Sequence, residues 1–425
     1  MEATSDRRVP FALAIVLGAL AIVFALRPEP PVDLAVYLRA GQRFFGGGGL
    51  YGASWGAPLD HPLPYTYPPV WAAVVSAVSW LPWRLVSGAW FLVNAALFVW
   101  IVRLSFERFL ETRDAERTRW LALLVLIGTI CAPIAATLWL GQVGIVLTAA
   151  ILADTVPQRT RLPRGLLLGA AVAVKLTPGI FVVYWAITGR LREAGRAIGA
   201  AIGLWLLAAA LRPAPSWTFW SSVVFDNGRV GNPADAVNQS LRGMLLHAGW
   251  TGEAPWLTLA ALVACFGLYR ARRAHMLGDE LAAVTLVGLT GLAISPVSWI
   301  HHAVWIVPAA GVILGAGERT TRVRAAVAIA ALYVLRLPDW ANDLSLHGPI
   351  GFLIGNAYIL GYLALIAWLP VDRPFVGRHT AARASWPQAA SIERPRVSRT
   401  VTLAPARSSV ATNRAIRPGG EPSTA

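Results

Sequence analysis

The chain has 425 residues, of which 56% are hydrophobic and only 14% charged, with a mean hydropathy of +0.56. That excludes an ordinary soluble domain and leaves room for many membrane spans. A formal charge of +15 raises the question of a polyanionic partner. The arginines, however, fall in short clusters between apolar runs, as cytoplasmic loops do, so nucleic acid is not indicated. Cys131 and Cys265 both sit in apolar segments without metal-ligand spacing and read as buried small residues.

In chain order, Asp6-Arg7-Arg8 precede an apolar run from about Val9 to Leu26. It reads as a retained first span, because no small-residue cleavage site follows it. The positive residues place the N-terminus inside and Asp33 outside. The segment from Asp33 to Phe45 suits a helix lying in the interface, and the glycine run Gly46 to Gly49 ends it. Residues 50–69 are aromatic, proline-rich and irregular, which fits a loop outside the lipid. Val70 to Trp80 is too short to span and reads as a partly embedded helix, whereas Leu85 to Leu104 is long enough.

That choice puts every arginine-bearing loop on the inner side: Arg103–Arg119, Arg159–Arg164, Arg190–Arg196, Arg270–Arg273 and Arg319–Arg324. Further spans are expected near 120–138, 142–156, 165–175, 178–188, 197–211, 256–269, 281–295, 303–316, 325–337 and 350–369. Counted with the first two they make twelve. The stretch 165–188 can be read as one kinked span or as two short ones. Residues 371–425 are rich in Arg, Ser, Pro and Ala without periodicity and read as a disordered cytoplasmic tail.

The polar clusters fall on the outer face. They are Gln142, the stretch from Lys175 to Pro178, the loop 213–255 with Asn238-Gln239-Ser240, the stretch from Ser295 to His302, and the stretch from Pro338 to Asp343. Polar residues gathered on one side of a membrane protein point to work done there. Asp33 is either a solvated charge at a helix start or a general base. Lys175, the sole lysine of the chain, is embedded in an apolar run, where an ammonium costs about 2.5–3.5 kcal/mol; it either snorkels or faces a phosphate. His301 and His302 follow Trp299, and adjacent histidines on a helix diverge too far to chelate one metal, but either can hydrogen-bond a sugar or phosphate. Asn238 and Gln239 are amides suited to contacting a substrate. No Asp-x-Asp pair or glycine-rich phosphate loop is present, so a nucleotide-sugar donor is unsupported.

Six stretches, Asp33-Leu-Ala-Val-Tyr37, Tyr65-Thr-Tyr-Pro-Pro69, Gly141-Gln142, Lys175-Leu-Thr-Pro178, Asn238-Gln-Ser240 and Ser295-Pro-Val-Ser-Trp-Ile-His-His302, occur in the order seen in glycosyltransferase family 87. Over residues 30–370 the chain resembles the polyprenyl-phosphate-mannose-dependent α-(1→2)-mannosyltransferases of that family. It departs from the pattern at Gly144, where the family often has Asn, and at Ile300, where it often has an acid. The resemblance implies an all-α polytopic membrane protein of GT-C architecture over residues 1–370. Extracytoplasmic loops are implied at 27–84 and 213–255, with the cavity on the periplasmic side of a bacterial plasma membrane. It implies metal-independent inverting transfer of mannose from a polyprenyl-phosphate donor to an envelope glycolipid or lipoglycan. Asp33 would be the general base. Lys175, His301, His302, Arg39, Arg43 and Arg242 are candidates for the donor phosphate, and Tyr65, Tyr67, Trp55, Trp299, Gln142, Asn238 and Gln239 for the sugars. An arabinose donor on the same fold and a lipid-linked sugar transporter are the alternatives; a transporter usually shows internal repeats, and none is evident.

Overall fold

The computed structural model describes residues 16–47, 49–52, 54–55, 63–157 and 160–371. Residues 1–15, the tail from 372 onward and the Trp55 side chain lie outside the described residues. The regular structure is helical apart from a short antiparallel ribbon, Ser54–Trp55 with Leu63–Pro64. The expected all-α class is therefore what the chain adopts.

Three helices, Trp83–Ser105, Leu191–Leu211 and Glu253–Met276, are each long and apolar enough to cross a bilayer. Two bent pairs reach that length together: Asp114–Ile130 with Ala132–Leu140, at 73°, and Gly348–Gly355 with Ala357–Trp368, at 65°. On length and composition alone, three helices of the described residues, or up to five if each bent pair is one span, suffice to cross a bilayer. The other apolar runs form shorter helices such as Gly144–Thr155, Glu280–Ile294 and Ile300–Leu314. Glu280–Ile294 buries eleven residues inside the protein. A helix wrapped by its neighbours does not need the full lipid thickness, because protein satisfies its ends.

The segment expected as one span at 120–138 breaks at Cys131, whose backbone is extended (φ −61°, ψ 132°). Pro133 explains the break, since it has no N–H for the preceding turn and its ring clashes there. The helix expected to lie in the interface forms at Val32–Gly46, but Leu34 to Leu38, Ala40, Gly41 and Phe44 are all buried. Its cover is the helix Pro69–Ser76, which crosses so closely that a Cβ on Gly41 would lie 2.9 Å from the Ser76 nitrogen.

Residues 165–188 form a hairpin of two short helices, Leu166–Val174 and Ile180–Ile187, the second entered through a turn at Thr177–Gly179. A Cβ on Gly165 would meet Glu193 and Ala197, and one on Gly169 would meet Ala197 and Ala200. Trp205 Nε1 then donates to the Ala173 carbonyl (3.2 Å). The first arm therefore runs alongside Leu191–Leu211 in the same direction. The second arm must return, because three residues after Ile187 the chain re-enters Leu191. Lys175 stands at the turn, near the end where Arg212 donates to the Phe44 carbonyl at the close of the Asp33 helix.

The opposite end is charged. Asp154 accepts from the Gly165 and Leu168 backbone N–H groups (2.9 Å each), a carboxylate at a helix start where the dipole favours it. Glu280 gathers Arg190 (2.9 Å), Tyr184 (3.0 Å) and His275 (2.7 Å).

Gly169→Ala sets a methyl 2.5 Å from the Ala197 carbonyl oxygen and 2.6 Å from Ala200 Cβ. Overpacking of this kind costs about 1–3 kcal/mol, so a lowered unfolding temperature of the purified protein in detergent is expected. An unchanged temperature would contradict the close packing of these two helices.

Candidate active site

Asp33 is the second residue of the Val32–Gly46 helix, just after Pro31, where unpaired backbone N–H groups favour a carboxylate. Tyr37 lies one turn further on the same face. Opposite stands the loop that ends Ala132–Leu140. Gly141 terminates that helix in the left-handed region (φ +71°), and a Cβ there would come within 2.9 Å of Leu34 Cβ and 3.0 Å of Pro31 Cβ. Glycine is needed on both counts. Trp90 Nε1 holds the Gly141 carbonyl (2.9 Å), and the next residue, Gln142, is delivered to Asp33.

Gln142 is 5% exposed. Its Oε1 accepts from the Tyr37 hydroxyl (2.9 Å) and the Tyr67 hydroxyl (3.1 Å). With the oxygen engaged by two phenols, the NH₂ is the end left to donate, and the Gln142 side chain hydrogen-bonds the Asp33 carboxylate. Asp33 lies outside the spans and is partly buried. Burial raises its pKa to about 6 from 3.8, opposed by the Gln142 hydrogen bond and by the charge of Lys175. A carboxyl poised there suits a general base working near neutral pH.

Lys175 enters from the hairpin turn. Its Nζ lies 5.2 Å from the centre of the Tyr67 ring, as in a cation–π contact, and 3.0 Å from His302 Nε2. His302 Nδ1 accepts from the Trp299 backbone N–H (3.2 Å). In the neutral ring the hydrogen therefore sits on Nε2 and points at the ammonium. Two donors face one another with no acceptor between them. The His301 ring packs edge-on to His302, 4.6 Å between centres, and its buried Nε2 has no partner among the described residues. The segment is anchored by Thr137, whose hydroxyl donates to the His301 carbonyl (2.9 Å).

Asp33, Gln142, Tyr67, Lys175, His301 and His302 are thus brought together. Other sequence candidates are not. Asn238 and Gln239 are fully buried, and their amides serve the fold. Asn238 donates to Pro233 and Pro296 carbonyls and accepts from Ser298 N–H. Gln239 donates to Ala236 and Gly355 and accepts from Tyr358 and Ile359. The substrate role expected of both is corrected to a structural one, because no amide atom is left over. Arg242 pairs with Glu253 (2.5 Å) over the Trp256 ring. Arg43 reaches the Gly49 carbonyl (3.4 Å). Arg39 stands roughly 240° round the helix from Asp33 at 100° per residue. Tyr65 is completely buried, with its hydroxyl on the Pro68 carbonyl (3.1 Å), so it has no free face for a sugar. Trp299 lies with its ring against Gly231 and its backbone paired to Asn238. Tyr37, absent from the expected site, was legible as the i+4 neighbour of Asp33.

Because the raised pKa favours the protonated carboxyl in the folded protein, the stability Asp33 contributes is complete below about 3.8 and is lost as pH rises through about 6. Activity that needs the carboxylate runs the other way. The rate is expected to fall as pH drops through about 6, and Gln142→Leu, by removing a donor to the carboxylate, should move that limb to higher pH. An acid limb that stays put in Gln142→Leu would remove this hydrogen bond from the account.

A family model for glycosyltransferase family 87 matches residues 65–296. The chain is 31% identical over 354 residues to a polyprenol-phosphate-mannose-dependent alpha-(1-2)-phosphatidylinositol mannoside mannosyltransferase of Mycobacterium tuberculosis, covering 79% of this chain and 82% of the relative. It is 32% identical over 324 residues to a protein of the same name from Mycolicibacterium smegmatis, covering 70% and 73%. A polyprenol-phosphate-mannose-dependent alpha-(1-2)-phosphatidylinositol pentamannoside mannosyltransferase of M. tuberculosis is 31% identical over 398 residues, covering 88% and 89%. No solved structure matches the chain. The match to the family model across more than half the chain, and to relatives across most of their length, makes this protein a membrane glycosyltransferase of family 87.

Proposed function

We propose that the protein transfers mannose from a polyprenyl-phosphate donor to a phosphatidylinositol mannoside or related lipoglycan, in α-(1→2) linkage, with Asp33 as general base. The observation that carries the reading is the facing pair of donors, Lys175 Nζ and His302 Nε2, 3.0 Å apart, in the same cluster as a carboxylate raised to about 6. An anionic oxygen placed beside the pair, within reach of both nitrogens, accepts from both. A phosphate leaving group supplies that oxygen, and the relatives' names specify a polyprenol-phosphate donor.

In this scheme the acceptor hydroxyl oxygen bonds to the anomeric carbon as the bond from that carbon to the phosphate oxygen breaks. The hydroxyl proton passes to Asp33, and the electron pair leaves with polyprenyl phosphate. Attack from the face opposite the phosphate inverts a β-linked donor into an α-mannoside. Lys175, His302 and His301 stabilise the phosphate charge. The leaving group is already anionic, so the scheme calls for fixed positive charge and N–H donors and uses no divalent cation.

We also read the chain as a multi-pass bundle of GT-C architecture, with the short buried helices counted among twelve crossings. The end of the bundle that carries Arg164 and Arg190 is then cytoplasmic by the excess of positive charge, and the Asp33 end faces the periplasm. The donor reaches the site from the bilayer.

Asp33→Asn is expected to give a folded protein with transfer reduced at least a hundredfold, measured with labelled polyprenyl-phosphate mannose and a phosphatidylinositol mannoside acceptor. Wild-type transfer should survive EDTA. Lys175→Ala should weaken donor binding at least tenfold; normal turnover in the first variant or unchanged donor affinity in the second would overturn the assigned role.

A further inference from the structure

Apart from the Asp33 cluster, a cavity of about 420 Å³ opens between the loop that precedes Asn238 and the Leu337–Asp343 helix. That volume lies within the usual range for small-molecule sites, about 300–1,000 Å³. Its walls carry Asp235, Arg336, Asp339, Trp340, Asn342 and Asp343. Trp340 is 49% exposed and offers an indole face. Arg336 and Asp339 are locked as an ion pair (2.5 Å). The Asn342 amide and the Asp343 carboxylate have no hydrogen-bond partner among the described residues.

The lining discriminates among ligand classes. Three carboxylates against one guanidinium repel a phosphate. No three His, Cys, Asp or Glu side chains are grouped closely enough to hold a metal ion among the described residues. A neutral polyol fits instead: its hydroxyls donate to carboxylates and exchange hydrogen bonds with the amide, while an apolar ring face rests on Trp340. The cavity is also tied by hydrogen bonds to the segment that carries His301 and His302. Asp235 to Val237 lead directly into Asn238, whose side chain holds Ser298 N–H (2.9 Å) and whose backbone pairs with Trp299, three residues before His302.

We propose that this cavity binds a sugar residue of the acceptor glycan distal to the hydroxyl that reacts, which would let the enzyme sense acceptor length. The inference rests on the acceptor class read above. It is tested by calorimetric titration of the purified full chain with α-(1→2)-mannobiose and longer soluble mannooligosaccharides. Trp340→Ala, Trp340→Phe and Asp343→Asn are compared with wild type, and transfer from polyprenyl-phosphate mannose is assayed in parallel. The expected result is at least a tenfold loss of affinity in Trp340→Ala and Asp343→Asn, with partial recovery in Trp340→Phe. Because Trp340 and Asp343 are exposed, these changes leave the core untouched. Wild type that does not bind, or that binds as well as Trp340→Ala and Asp343→Asn do, overturns the cavity assignment. So does inorganic phosphate or a lysine-rich peptide displacing the sugar from this cavity. Transfer by wild type alongside cavity-independent binding would sink the cavity and leave the reaction standing; Trp340-dependent sugar binding without any transfer would do the reverse.

Discussion

The site depends on one side-chain amide. Gln142 sets its oxygen beside two buried phenols, whose own hydroxyls lie 2.9 Å apart, and its side chain hydrogen-bonds Asp33. A carboxylate in an apolar setting would otherwise be forced neutral. The amide supplies a hydrogen bond without adding a charge, so burial and hydrogen bonding offset one another and leave the group able to ionise in the physiological range. Gly141 makes the arrangement possible by letting one helix end touch the start of another.

The charge opposite Asp33 is built differently. Lys175 belongs to no regular helix: it sits where Leu166–Val174 ends with an extended residue (φ −148°, ψ 131°). Its position comes from the packing of that arm along Leu191–Leu211. A cation held by a helix hairpin and an imidazole held by a backbone N–H need little reorganisation to receive an anion, which is the economy of preorganised electrostatics. Asn238 and Gln239 stand behind this frame. Their seven side-chain hydrogen bonds hold the loop that precedes Asn238 and tie it to the segment before His301 and to the Ala357–Trp368 helix.

Much of this was legible from residues. Asp33, Gln142, Lys175 and the His pair were recognisable because each is a polar residue beside an apolar run, and the structure brings them together. Asn238 and Gln239 misled for the same reason: polarity marks a place where hydrogen bonds are made, but not whether the partner is a substrate or a backbone. Tyr65 shows the matching error for aromatics, a ring expected at a surface that is sealed in the core. The number of crossings is less legible, because hydropathy does not distinguish lipid from protein as the apolar surroundings. The break at Cys131 was readable from Pro133, since proline interrupts a helix whatever surrounds it.

The hairpin of residues 165–188 also bears on how the chain is assembled. Neither arm is long enough to settle alone in a bilayer, and the turn between them carries an ammonium that hydrocarbon would not tolerate. The first arm is stabilised where it packs along Leu191–Leu211. The order in which the helices emerge during synthesis, Leu166–Val174, Ile180–Ile187 and then their wall, leaves the hairpin waiting for the surface that stabilises it. Lys175, to which the proposed reaction assigns the donor phosphate, is thus also the residue that makes this hairpin depend on its neighbours.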